Sequence, residues 1–150
     1  MKRFASLLHI LLLATLLLSA CTPQATTTPT TTEPPSGKVT LGLVLSTLNN
    51  PFFVSLRDGA QAAAAAAGAE LVVVDAQDDA AKMAAGIEDL ITQKVSAILI
   101  NPTDSDAVVP SIEKANAAGI PVFTVDRGSS GGTVVSHVAS DNVAGGAMAA

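Results

Sequence analysis

The sequence predicts an α/β fold with a parallel, doubly wound sheet. Four short runs, residues 39–45, 70–75, 95–100 and 120–125, are almost continuously apolar. That is the pattern of parallel strands buried on both faces. The segments between them have the length and patterning of helical crossovers, and regular β/α alternation gives a sheet wound with helices on either side.

The elements follow in order. The first strand, 39–45, runs through Ser46-Thr47-Leu48-Asn49-Asn50-Pro51-Phe52-Phe53 into a helix over 52–67. Pro51 suits an early helical position, and Gly68 suits a left-handed stop. The alanines from Ala62 to Ala67 favour helix and let it approach the sheet closely. After the second strand, a helix over 78–93 places Met83, Ile87, Leu90 and Ile91 on one face. The third strand leads to a helix over 104–117, with Ala107, Val108, Ile112 and Ala115 inward and Thr103 or Asp104 as cap. A fifth extended run, 133–138, follows a glycine-rich turn at 128–132, and another helix opens near Asn142.

The N-terminus reads as a targeting signal. Lys2 and Arg3 precede an apolar run, 7–18, that is short for a membrane span. It ends in Leu18-Ser19-Ala20-Cys21, which resembles a bacterial lipobox. That resemblance implies cleavage before Cys21 and its lipidation; a secretory signal without lipid is the competing reading. Cys21 is the only cysteine, so no intramolecular disulfide is possible. Residues 22–37 are rich in Thr and Pro and read as a solvated tether. Extended, such a tether reaches about 50 Å at about 3.1 Å per residue. Roughly 110 residues then remain, one modest domain. They stop inside a helical pattern, so a fragment is expected.

A net charge of −5 argues against nucleic acid, whose phosphates need basic clusters. No histidine is paired with a nucleophile, no cysteine–histidine cluster has metal spacing, and no Gly-x-Gly-x-x-Gly follows the first strand. No enzyme constellation and no cofactor site is expected in these residues; an extracytoplasmic α/β enzyme with its catalytic residues elsewhere is the lesser alternative.

Ligands of open α/β sheets bind at the carboxyl ends of the strands. The loop from Ser46 to Phe53 brings two amides, two hydroxyls and two aromatics there. Amides and hydroxyls both donate and accept, and phenyl faces suit a ring that is polar at its rim and apolar on its faces. A sugar fits. The same residues also read as turn chemistry at Asn50-Pro51 and core packing at Phe52 and Phe53; at least one phenyl is expected to face the cleft. Asp126-Arg127, at the end of the fourth strand, offers a carboxylate acceptor and a planar guanidinium donor. The alternative there is a local ion pair. Asn101-Pro102-Thr103-Asp104 reads mainly as turn and helix cap, with lining of the cleft as the lesser alternative, and Ser140-Asp141-Asn142 reads mainly as an N-cap. His137 reads as packed or hydrogen-bonded, not catalytic.

In order and spacing, the stretches 46–53, 101–107, 124–127 and 136–142 together resemble the front half of the ribose-binding proteins of bacterial ABC importers, in the type I periplasmic binding protein family. The resemblance runs from about Lys38 to Ala150. It implies a two-lobe fold of which this chain holds the first lobe, incomplete. The parts are then a signal (1–20), lipidated Cys21 and tether (21–37), first lobe (38–139), and the crossover into the second (140–150). It also implies that the final segment of the full protein returns to complete the first lobe, so apolar surface is left uncovered here. Ser46, Asn50, Phe52, Phe53, Asp126 and Arg127 are the implied sugar contacts. The implied partners are ribose or a similar monosaccharide, the ABC permease subunits and, through Cys21, an extracytoplasmic membrane face. The alternative is a sugar sensor of the same fold feeding a chemoreceptor or sensor kinase. A transcriptional repressor of this fold class is rejected, because a secretion signal stands where its DNA-binding segment would be.

Overall fold

The computed structural model describes residues 37–150. The signal at 1–20, Cys21 and the tether through residue 36 lie outside the described residues. Five strands are present: β1 (Thr40–Leu45), β2 (Glu70–Asp75), β3 (Ala97–Ile100), β4 (Val122–Val125) and β5 (Ser136–Val138). They are joined by helices α1 (Pro51–Ala66), α2 (Ala80–Thr92) and α3 (Val109–Ala117), and α4 (Asn142–Ala149) follows β5. The strand order is β2-β1-β3-β4-β5, with every neighbouring pair parallel. The step from β1 to β2 goes one way, and the steps from β2 to β3 and from β3 to β4 go the other. Right-handed crossovers therefore place α1 on one face and α2 with α3 on the opposite face. The predicted α/β class and doubly wound parallel sheet are what the molecule has.

Strand pleating sorts the side chains between the faces. Val44, Ile98, Ile100 and Val122 point toward α2 and α3, where they join Met83, Ile87, Leu90, Val108, Ile112 and Ala115 in one buried cluster. Leu43 and Leu45 alternate to the α1 side and are also fully buried. Helix α1 rests on β1 and β2 and buries one side chain, Ala64. On that same face Leu99, Phe123 and Val125 are only half-buried.

The first two helices start and stop close to the sequence reading. Gly68 takes a φ of 71° just past α1, the left-handed stop expected of it. Asp79, the residue before α2, caps it by accepting from the N–H groups of Ala81 and Lys82. Met83, Ile87 and Leu90 are buried and Ile91 is half-buried.

The third helix departs from the prediction. It begins at Val109, not 104. The Asp104 carboxylate accepts from the N–H groups of Asp106 and Ala107 at 2.9 and 2.8 Å, and so closes a separate turn. Pro110 then stands in the first turn of α3, where a residue without an N–H costs no helical hydrogen bond. Ala107 consequently sits on the exposed turn and not inward, whereas Val108, Ile112 and Ala115 are buried as expected. Neither Thr103 nor Asp104 caps the helix; its N-cap position is Val108, which makes no side-chain cap bond.

Candidate functional site

The carboxyl ends of β1, β3 and β4 lie side by side, and the residues singled out from sequence gather there. Ser46 leaves β1 as a buried hydroxyl, 6 % exposed. Thr47, also buried, accepts from the Asn49 N–H at 3.2 Å and tightens the turn. The loop is braced from β2, where the Asp75 carboxylate accepts from the N–H groups of Leu48 and Gln77 at 3.2 and 2.9 Å. Asn50 caps α1 by accepting from the Phe52 N–H at 3.0 Å. This satisfies a donor that the first helical turn otherwise leaves unpaired.

The two phenylalanines play different parts. Their rings meet edge to face, with centroids 5.2 Å apart and planes at 72°. Phe53 is half-buried, while Phe52 is 49 % exposed. Phe52 and Leu56 form one wall of an open cleft of about 260 Å³, and Val125, Asp126 and residues 138–140 form the rest. Phe52 and Asp126 therefore share one concavity. A larger hollow of about 420 Å³, lined by Ile91, Val95, Ile120 and their neighbours, lies at the opposite end of the strands, away from the candidate residues.

Asp126 ends β4 with a φ of 64°, in the left-handed region that non-glycine residues seldom enter. Its N–H donates to the Val138 carbonyl at 2.8 Å, which ties it to β5. Arg127 turns away from Asp126. Its Nη1 donates to the carbonyl of Pro102 at 3.1 Å and to that of Thr103, so it clasps the loop after β3. Among the described residues Arg127 forms no ion pair with a carboxylate, so the local Asp126–Arg127 pair is absent. The Asp104 carboxyl on that loop is held below its ordinary range, chiefly by the N–H groups of Ala107 and Asp106, with a smaller contribution from the Arg127 charge.

Asn101 opens the stretch 101–104 that the sequence marks mainly as turn and helix cap, yet its side chain is a bridge. It follows β3 directly, is 1 % exposed, and stands between the ends of β1 and β4. Its Oδ1 accepts from the Ser46 N–H at 3.3 Å and from the Ser46 hydroxyl at 2.6 Å. Its Nδ2 donates to the Val125 carbonyl at 3.0 Å and to the Asp126 Oδ2 at 3.3 Å. The only sequence signal was an amide immediately after an apolar strand, which gives no hint of the partners.

Two minor readings agree with the structure. His137 Nδ1 lies 2.9 Å from the Thr124 hydroxyl, a hydrogen-bonded pair between β5 and β4. Asp141 caps α4 by accepting from the Ala144 N–H at 2.9 Å. No cluster of histidine, cysteine or carboxylate suited to a metal occurs among the described residues.

Comparison with known proteins places this arrangement in a family. The periplasmic binding protein domain matches residues 41–150. The ribose import binding protein of Bacillus subtilis is 55 % identical over 111 residues, covering 74 % of this chain and 36 % of that protein. The ribose import binding protein of Escherichia coli is 56 % identical over 112 residues, covering 75 % and 38 %. This chain thus spans little more than a third of the length of these curated relatives. Among solved structures, the Caulobacter myo-inositol binding protein bound to myo-inositol superposes with a TM-score of 0.70 at 34 % identity, over 79 % of this chain and 40 % of that one. With most of its length matched by the domain and its sheet superposing on that of a solved member, the chain belongs to the periplasmic binding protein family.

Proposed function

We propose that this chain is the sugar-binding first lobe of an extracytoplasmic solute-binding lipoprotein, which takes ribose or a similar monosaccharide and delivers it to an ABC importer. The observation that carries the reading is the pairing of Phe52 with Asp126 across one cleft, in a chain 55 % identical to a ribose import binding protein. An aromatic face covers the C–H surface of a sugar ring, and a carboxylate accepts from its hydroxyls. Arg127 keeps further N–H donors beyond those spent on the loop carbonyls, and the guanidinium suits a hydroxyl or ring oxygen. Ser46, Asn50 and Phe53 complete the first-lobe contacts in this reading, with Ser46 and Asn50 also shaping the loop. A second lobe closes over the ligand by hinge motion, and the closed form docks on the permease. Lipid on Cys21 holds the receptor at the membrane, with residues 22–37 as tether.

The test is a calorimetric titration of the complete gene product with ribose. Binding that weakens by about 10- to 150-fold in Asp126→Ala supports the assignment, since a hydrogen bond to a charged group contributes about 1.5–3 kcal/mol. An unchanged dissociation constant in that variant sinks it.

A further inference from the structure

Asn101 is a buried side chain whose amide hydrogen-bonds to both halves of the candidate site. It stands on the central strand, with its own N–H donating to the Val44 carbonyl at 2.8 Å, so its backbone is fixed by the β1–β3 pairing. Its amide then faces two donors on one side and two acceptors on the other. Exchanging the amide oxygen and nitrogen would set NH₂ against the Ser46 N–H, and oxygen against the Val125 carbonyl and a carboxylate. The orientation is therefore determined by the hydrogen bonds.

Resting on the sugar-binding reading above, we infer that Asn101 is a positioning residue for ligand affinity: its amide fixes where Asp126 presents its carboxylate and couples that carboxylate to Ser46 across β3. Asp126 occupies a backbone region that a non-glycine residue enters at a cost. Of its two carboxylate oxygens, Oδ2 takes the Asn101 Nδ2–H, and Oδ1 has no hydrogen-bond donor among the described residues. Asn101 in this way leaves one oxygen directed and available to a sugar hydroxyl. It also prevents the carboxylate from turning to the Ser46 hydroxyl, which the amide oxygen already occupies at 2.6 Å. The neighbouring carbonyls of Pro102 and Thr103 hold Arg127, so the short turn after β3 sets the stance of both members of the Asp126–Arg127 pair.

A structural clamp and a positioning residue differ in how their loss combines with loss of Asp126. The experiment is a double-mutant cycle in the complete gene product, with ribose affinity measured by calorimetry for the parent, Asn101→Ala, Asp126→Ala and the double variant. Asn101→Leu is run in the same cycle. It removes the donor toward Asp126 without setting a second carboxylate against it, and it nearly fills the space of the amide, so it serves where the alanine variant fails to fold. The expected result is a loss of about 10- to 50-fold for either Asn101 substitution when Asp126 is present, falling below about threefold when residue 126 is alanine. Equal losses in both backgrounds, or none in either, would overturn the inference. A parent protein that takes up no ribose or related aldose overturns the sugar-binding reading and this inference together. Binding by the parent with an additive cycle overturns only the role of Asn101.

Discussion

On the face covered by α2 and α3, Ile98, Ile100 and Val122 are sealed from solvent, whereas on the α1 face Leu99, Phe123 and Val125 of the same strands, β3 and β4, are left half-buried. Both strands carry large apolar side chains on each side. What differs is the cover: two amphipathic helices on one side, and one alanine-rich helix over β1 and β2 on the other. Burial is therefore a property of the layer above a side chain, and the apolar run alone does not report it. The difference also separates tasks. The packed face carries most of the buried apolar area that stabilises the fold, while the candidate cleft, with Phe52, Leu56 and Val125 in its walls, lies on the thinly covered side.

The largest expected effect tests that contrast directly. Ile87→Ala, on the sealed face, should destabilise the protein by about 3–4 kcal/mol in urea unfolding, through lost transfer energy and an unfilled cavity. Leu99→Ala, on the open face, should cost less than about 1.5 kcal/mol, because water already reaches its site. Equal losses would break the comparison. A smaller effect, opposite in sign on the two faces, comes from glycine. A methyl at Gly86 of α2 would lie 2.5 Å from the Val74 Cγ1, so Gly86→Ala should lower stability by about 1–3 kcal/mol. At Gly59 of α1 nothing stands within 4 Å, and Gly59→Ala should raise stability by about 0.5–1 kcal/mol through helix propensity.

The smallest effect concerns the caps. Helix α1 is capped by the uncharged Asn50 and α2 by the carboxylate of Asp79. The N–H groups of Lys82 and Ala81 hold the Asp79 carboxyl below its ordinary range. A depressed folded value means that the cap's stabilisation is fully present above about pH 4, the ordinary aspartate region, and is lost as pH falls through the lower folded value. Asp79→Asn should leave stability near neutrality almost unchanged and remove this part of the acid-side decline, as read from melting midpoints across an acid pH series. A variant whose acid profile matches that of the parent would show that the α2 cap carries no pH dependence.

Most of the fold was legible because it depends on local pattern. Apolar runs marked all four main strands to within two residues, and Gly68 marked the end of α1. The start of α3 was misplaced because two signals compete over six residues: Asp104 offers a good cap, but it caps its own turn, and Pro110 sets where the regular helix begins. The candidate site was legible in composition and not in wiring. Phe52 and Asp126 could be named from their loops, and they do share a cleft. Whether Arg127 would reach toward Asp126 or the loop carbonyls, and whether Asn101 would serve only its turn or bridge Ser46 to Asp126, depends on the lateral placement of β1, β3 and β4. That placement is a long-range property, fixed by sheet register and absent from any short window of sequence.

If Asp126 holds a sugar as proposed, its left-handed backbone sets heat resistance and ligand capture against each other. At a φ of 64° glycine is at ease and aspartate is not. Libraries of this protein screened only for survival at high temperature should drift toward glycine at that position and, on the proposed reading, return robust molecules that have lost sugar binding. Screens that reward capture will keep the acid and tolerate a softer molecule, so an engineering campaign here should hold residue 126 fixed and look for stability elsewhere, beginning with the open side of α1.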